Sequence, residues 1–242
     1  MQGVIEDVFS RVLDHEITTT VAGRTDAGVH ALGQVFHFDI PQALRANWNL
    51  ESLLYIANRI LTSEIRITSA TDAAKDFHAR YSALRRRYRY QLLDNARTLN
   101  PLERVATAIY HRPLDENLMN ESSALLLGER DFAAFCRARE GTTTIRTLET
   151  FTWLRNADGL LTATIVADAF CHNMVRALVG AMMMVGDGRW GMAKPEEILR
   201  ARERHSHIAP AAGLTLMAVE YPPPSEYGRR ASQVTSKSVR GS

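Results

Sequence analysis

Cysteine, lysine and long apolar runs are scarce or absent in this chain of 242 residues. Its two cysteines, Cys136 and Cys171, predict neither a disulfide framework nor a clustered zinc site. A reducing cytoplasm is therefore the expected compartment. No run of about 18 apolar residues occurs, so the sequence predicts neither a membrane span nor a membrane partner. The first residues, MQGVIEDVFSRVL, are amphipathic and include acidic side chains, which is not the pattern of a secretory signal peptide.

The shortage of lysine makes arginine the dominant cation. Only Lys75, Lys194 and Lys237 are lysine, which leaves 26 arginines among the 29 basic residues. Arginine presents a planar fork that suits phosphate, and it can stack on bases. GC-rich coding bias would produce the same excess, and the net charge is only +2, so composition does not decide whether the chain binds nucleic acid. The clustering of the arginines is more informative than their number.

Hydrophobic periodicity predicts an α+β chain in which helices and strands mix. The predicted helices are 2–13, 50–61, 115–127, 173–185 and 195–203. The predicted strands are 18–22, 34–38, 65–68, 85–93, 150–154, 161–170 and 214–221. Asp115 stands at the N-cap position of its helix, and Asp158-Gly159 is a hairpin signal.

The chain is predicted to divide into two α+β halves and a tail. The joint is the segment Asn95–Glu103, which contains Asn100-Pro101. Residues 1–98 would form an N-terminal half that carries the loop around Asp26, and residues 99–222 a C-terminal half that completes the cleft. Residues 223–242 are rich in Pro, Ser and Arg and have almost no apolar side chains, so we predict a disordered tail.

The segment Val21–Phe38, VAGRTDAGVHALGQVFHF, is the most informative in the chain. Its pattern predicts a strand, a tight polar turn with Arg24 and Asp26 at the tip, and a second strand. Such a loop presents one carboxylate on a rigid scaffold beside a cation that keeps it ionised, so Asp26 could act as a nucleophile. An ordinary Asx-turn with a solvated Arg24 explains the local pattern at least as well, because polar turns commonly contain Asp.

A second cluster, Phe77–Tyr90, has the sequence FHARYSALRRRYRY and interleaves arginines with tyrosines. Basic residues among aromatic ones can bind phosphates and stack an unpaired base. The alternative is an exposed strand with solvated arginines and a tyrosine face in the core. We expect Tyr90 in the core and Tyr88, nearer the strand end, at the border of a cleft.

A third segment, Phe170–Gly180, reads FCHNMVRALVG and predicts an apolar helix in which Arg176 falls between buried positions. A lone arginine in such a place usually extends to solvent; the other possibility is that Arg176 points at Asp26 and supplies a second cation. The histidines never form HExxH or a comparable ligand set, so no metal site is predicted.

These motifs, together with GLTLMAVEYP and in the same order from Gln2 to about Pro222, resemble the tRNA pseudouridine synthase A family. The resemblance implies two ferredoxin-like halves that share an antiparallel sheet, with the catalytic cleft between them. It also implies a homodimer that works without cofactor or metal. The implied reaction is the isomerisation of uridine to pseudouridine at tRNA positions 38 to 40, in the anticodon stem-loop.

The resemblance also implies roles for individual residues. Asp26 would attack the target nucleoside at uracil C6 or ribose C1′, while Arg24 and Arg176 keep it ionised. The implied substrate-binding residues are Tyr88, which would stack on the target base, Arg86 and Arg87, which would contact phosphates, and Leu214 or Leu216, which would form an apolar wall.

One departure from the family pattern is that its members normally begin with a strand and a Gly-Trp-Gln loop ahead of the helix that starts here at Gln2. Loss of that strand would leave unpaired backbone beside the catalytic loop. We therefore expect either a true start upstream of the recorded one or a truncated copy. One alternative function is a catalytically impaired tRNA-binding protein of the same fold. A further alternative is a metal-dependent phosphoryl-transfer enzyme in which Asp26 is a metal ligand.

Overall fold

The computed structural model of the chain describes residues 1–137, 143–203 and 207–240, with side chains up to residue 236. The helices are α1 (Gln2–Leu13), α2 (Gln42–Arg45), α3 (Leu50–Ile60), α4 (Glu116–Ala124), α5 (Met174–Gly186), α6 (Lys194–Ala201) and α7 (Tyr227–Arg240). The strands are β1 (Thr20–Val21), β2 (His30–Ala31), β3 (Phe36–His37), β4 (Arg85–Leu93), β5 (Ala108–Ile109), β6 (Gly128–Asp131), β7 (Ile145–Arg155), β8 (Leu161–Ala167) and β9 (Leu214–Glu220).

The larger sheet has the strand order β2-β9-β4-β8-β7-β6, and β5 pairs with the end of β4. β4 lies antiparallel to both β8 and β9, whereas the short strands β2 and β5 pair in parallel with β9 and β4. Apolar and polar side chains alternate along β4, so Tyr88, Tyr90 and Leu92 are buried on one face of the sheet. Nearly every residue of α5 is buried, as expected for a helix that is apolar all round. The predicted α+β class is confirmed, and the division between residues 98 and 99 stays a prediction.

A second, smaller layer holds the N-terminal elements. β1 and β3 form a two-stranded antiparallel sheet. α1 and α3 pack together around Val8, Phe9, Leu53 and Ala57, which belong to a hydrophobic cluster separate from that of the larger sheet. Amphipathic helices that each bury one stripe account for this layer.

The predicted strand at residues 65–68 does not form. Ile67 instead exchanges both of its backbone hydrogen bonds with the side chain of Asn58, whose Nδ2 donates to Ile67 O at 2.8 Å and whose Oδ1 accepts from Ile67 N at 2.9 Å. Because a side chain satisfies the backbone groups that a ladder would have used, the β-branched pattern alone did not determine the local structure.

The C-terminal segment also differs from the disordered tail that the sequence predicts. After residues 223–226 the chain forms α7, and residues 241–242 lie outside the described range. The ring of Tyr227 packs edge-on against Phe77, with centroids 4.9 Å apart, and Gly228 N donates to Asp76 Oδ2 at 2.9 Å. These contacts, together with the donation from Ser82 Oγ to Tyr227 O, dock a helix whose low apolar content had suggested disorder.

The structure corrects the expectation for the two cysteines. Cys136 and Cys171 form a disulfide, with Cα atoms 5.7 Å apart. It links the loop that follows β6 to the loop between β8 and α5, over a sequence separation of 35. Spacing along the chain could not reveal this proximity, because strand pairing brings the two loops together. Within the described residues, no helix is both long enough and apolar enough to cross a membrane.

Candidate active site

The loop that carries Asp26 is held by its own polar contacts. Gln34 Nε2 donates to Gly23 O at 2.8 Å, which joins the two sides of the loop at its base. Val29 N donates to Asp26 O at 3.1 Å and closes a turn in which Gly28 has a φ of 81°. Glycine adopts this left-handed conformation without the steric cost that a Cβ imposes, so the sequence favours the turn.

The far side of the loop is anchored on β9. Leu32 N and Gly33 N both donate to Leu216 O, at 2.8 and 3.2 Å. A Cβ on Gly33 would overlap the carbonyl oxygen of Met217, so the two backbones can approach this closely only at a glycine. The larger sheet therefore fixes the position of the Asp26 loop.

The Asp26 carboxylate has a polar neighbour at each oxygen. Arg176 Nη1 lies 3.1 Å from Oδ2, and His172 Nε2 lies 3.3 Å from Oδ1. The guanidinium of Arg176 is itself held, because its Nε donates to Ala209 O at 2.8 Å. The Asp26 side chain remains 30% exposed, so it is partly desolvated and still within reach of a ligand. Of the two possibilities for Arg176, the structure shows the one in which it points at Asp26.

Arg24 does not take part in this contact. Its side chain is exposed, and in the described part of the chain no hydrogen bond or ion pair joins it to Asp26. The sequence predicted that Arg24 would pair with Asp26 because the two are close in the chain. The partner is instead Arg176, 150 positions away at the start of α5. The positive end of the α5 helix dipole, which stabilises a carboxylate, lies at that same terminus.

Tyr88 forms part of the buried surroundings of the site. It is 8% exposed and packs edge-on against Phe170, with centroids 5.2 Å apart. Burial raises the pKa of Tyr88 to about 12; the nearby Arg86 opposes the rise and the Asp26 charge adds to it. The phenol is therefore neutral at physiological pH and lies close enough to Asp26 to sense its charge.

Comparison with known proteins adds to this geometry. Residues 123–222 match the family model described as tRNA pseudouridine synthase. The tRNA pseudouridine synthase A of Streptomyces griseus is 49% identical over 238 residues, which covers 96% of this chain and 84% of that protein. The chain belongs to the tRNA pseudouridine synthase A family. The tRNA pseudouridine synthase A of Streptomyces avermitilis is 48% identical and covers 92% of this chain and 79% of that protein. The one from Frankia casuarinae is 46% identical and covers 96% of this chain and 84% of that protein.

The leucines expected to wall the site in this family lie in the core. Leu214 and Leu216 are 5% and 0% exposed, and they stand opposite Tyr90 and Tyr88 in the β4–β9 register. Tyr90 is fully buried, as predicted, and its hydroxyl donates to Pro210 O at 2.9 Å. The leucines therefore support Tyr88 from the adjacent strand.

Arg86 is placed differently from the phosphate-binding role that the family resemblance implied. It is 8% exposed and donates to three carbonyl oxygens, those of Asp168 (2.8 Å), Ala22 (3.1 Å) and Arg80 (2.6 Å). The strand period of two puts Arg86 on the same face as Tyr88, so it enters the interior and joins β4 to the base of the Asp26 loop. Arg87 faces the other way, 50% exposed and 3.4 Å from Glu220.

His172 is the contact of Asp26 that the sequence did not predict. The sequence offers no clear signal for it, because His172 precedes α5 and Asn173, with a φ of 67°, lies between them. Among the described residues no group of three or more His, Cys, Asp or Glu side chains could hold a metal ion.

Proposed function

We propose that this chain is a tRNA pseudouridine synthase, an isomerase that converts uridine to pseudouridine in tRNA with Asp26 as its nucleophile. The observation that carries the proposal is the ion pair of Asp26 Oδ2 with Arg176 Nη1, on a loop with the motif GRTDAGVHA. Membership of the family supports the substrate class and the reaction. The anticodon stem-loop, positions 38 to 40, a cytoplasmic location and a homodimer are further parts of the proposal. The location is proposed from the tRNA substrate of the family, since the disulfide removes the argument from the cysteines.

In the proposed reaction the Asp26 carboxylate attacks the target nucleoside at uracil C6 or ribose C1′. The glycosidic bond from N1 to C1′ breaks, the base turns while held, and C5 joins C1′. The C5 proton leaves, N1 gains a proton, and Asp26 departs unchanged, so the reaction is a net isomerisation. Arg176 pairs with the carboxylate and orients it, which is the condition for a weak nucleophile to react.

The target nucleotide must leave its stack to reach Asp26, which costs on the order of a few kcal/mol. Two exposed cations, Arg24 on the loop and Arg87 on the other face of β4, are the proposed source of compensating phosphate contacts. Tyr88 borders the reacting base from the buried side, supported by Leu214 and Leu216.

We also propose that the chain contains two ferredoxin-like halves. The elements β4-α4-β7-β8-α5-β9 follow a β-α-β-β-α-β order, and their strands lie in the sequence β9-β4-β8-β7 within the larger sheet. α1, β1, β3 and α3 would belong to the other half. In this arrangement β4 belongs to the second half, which differs from the division between residues 98 and 99 that the sequence predicts.

The test is the substitution Asp26→Asn, which keeps the shape of the side chain and removes its charge. With tRNA tritiated at uridine C5, the unmutated protein is expected to release tritium to water, while Asp26→Asn releases none. The affinity for tRNA should stay within about threefold, because the carboxylate contributes to the reaction rather than to uniform binding. Asp7→Asn, at an exposed site on α1, is the matched control and should behave as the unmutated chain.

Turnover by Asp26→Asn near the unmutated rate would contradict the proposal. Salt-dependent tRNA binding without tritium release by the unmutated chain would favour the impaired tRNA-binding protein instead. Activity that survives excess EDTA would exclude the metal-dependent phosphoryl-transfer enzyme.

A further inference from the structure

Asp26 has polar neighbours on two sides, and the second of them, His172, has no predicted role. His172 Nε2 lies 3.3 Å from Oδ1, while Arg176 Nη1 lies 3.1 Å from Oδ2. A carboxylate bound at one oxygen can still rotate about its Cβ–Cγ bond, because that torsion is broad. A hydrogen bond on one oxygen and a close polar contact on the other restrict this rotation of the carboxylate.

The loop that carries His172 is itself anchored. His172 O accepts a hydrogen bond from Arg137 N at 2.9 Å. The preceding residue, Cys171, is joined to Cys136 by the disulfide. The following residue, Asn173, has a φ of 67° and turns the chain into α5. The position of the imidazole is therefore determined by contacts of the backbone on either side of it.

The two ring nitrogens of His172 differ in their surroundings. Nδ1 is buried and has no hydrogen-bond partner in the described structure, so Nε2 makes the polar contact. Nε2 lies 3.3 Å from Oδ1 of Asp26, within ion-pair distance, although no hydrogen bond joins the two atoms in the described structure.

We propose that His172 is a positioning residue whose imidazole, with Nε2 3.3 Å from Oδ1 of Asp26, limits rotation of the carboxylate, so that it meets the target nucleoside in a single orientation. The inference rests on the proposed function of Asp26 as the nucleophile. His172 needs no contact with the RNA for this role. Its loss should slow the chemical step and leave tRNA binding unchanged, because the orientation of the nucleophile matters only as the new bond forms.

The experiment compares His172→Leu, which removes the donor, with His172→Gln, whose side-chain Nε2 can donate from a similar position. The single-turnover rate is measured with enzyme in excess and tRNA tritiated at uridine C5, and the Kd for the same tRNA is measured separately. His172→Leu is expected to lower the rate about 10- to 100-fold, whereas His172→Gln should recover it to within about threefold. Kd should be the same for both variants and the unmutated chain.

His15→Leu, the same replacement at an exposed histidine, is the matched control. Thermal unfolding of each variant shows whether the fold is retained, and the glutamine variant keeps the test valid if the leucine variant unfolds. A rate for His172→Leu equal to that of the unmutated chain would overturn the inference. A rate for folded His172→Gln far below the unmutated rate, or a loss of activity explained entirely by weaker tRNA binding, would overturn it as well. In each of these cases the proposed function stands if the unmutated chain releases tritium and Asp26→Asn does not.

Discussion

At the residue scale, two neighbouring arginines of β4 have opposite surroundings. Arg86 is buried, and three backbone carbonyls surround its guanidinium. Burial lowers the pKa of Arg86, although the group remains charged at any physiological pH. Arg87 is half-exposed and pairs with Glu220 at the surface. The first arginine therefore contributes to folding, and the second remains available to a ligand.

We predict that Arg86→Leu lowers the free energy of unfolding by about 2–4 kcal/mol, because buried carbonyl oxygens lose their charged donor. Arg87→Leu, the same replacement one residue along, should change it by less than about 0.5 kcal/mol, since exposed ion pairs stabilise little. Urea unfolding followed by circular dichroism measures both values. Equal losses in the two variants would contradict the assignment of Arg86 to the interior.

At the scale of elements, the junction of β2 with β9 determines where the Asp26 loop lies. Two backbone N–H groups, of Leu32 and Gly33, share the carbonyl of Leu216. The register His30 to Thr215 and Ala31 to Leu216 then places the loop beside the strand that supports Tyr88. A short parallel pairing thus connects the loop to the core of the larger sheet.

Gly33→Ala is predicted to separate this junction, because the added Cβ overlaps a backbone carbonyl that cannot move independently. The expected cost is about 1–3 kcal/mol of stability. Activity should fall about tenfold or more through displacement of Asp26. Gly191→Ala is the control: nothing lies within 4 Å of its Cβ position, so stability should stay the same or rise. Unmutated activity in Gly33→Ala would show that the junction does not position the loop. Tritium release and urea unfolding supply the two readouts.

At the scale of the whole molecule, a partly buried ion pair between Asp94 and Arg155 joins distant parts of the chain. Asp94, just after β4, accepts two hydrogen bonds from Arg155 at the end of β7, at 2.8 and 2.9 Å. It accepts a third from Leu114 N at 2.8 Å. Burial alone would raise the pKa of Asp94, but these bonds outweigh it and hold the pKa below the ordinary value of 3.8.

Because the folded pKa is depressed, the stabilisation by Asp94 is complete above pH 3.8 and is lost as the pH falls through the lower folded value. We predict that Asp94→Asn is less stable than the unmutated chain at neutral pH and loses less stability on acidification below pH 3.8. Urea unfolding at a series of pH values measures the slope. Asp158→Asn, at an exposed turn, should leave the slope unchanged. An unchanged slope in Asp94→Asn would contradict the prediction.

Much of the secondary structure could be predicted because it depends on local patterns. The alternation along β4, the N-cap of α4 at Asp115 and the apolar helix α5 all follow from neighbours in the chain. The failures have one physical cause: a contact from elsewhere replaced the local preference. Asn58 satisfied the backbone of Ile67, and Phe77 gave Tyr227 a surface on which a helix could dock.

The sequence by itself determined the family, the α+β class and the identity of Asp26 and Arg176 as a candidate pair, because these depend on residue types in a fixed order. Only the tertiary structure decided that His172 rather than Arg24 contacts Asp26, that Arg86 is internal and that Cys136 meets Cys171. These outcomes depend on which side chains strand pairing and helix packing bring together across long separations. Neither spacing nor composition encodes those distances.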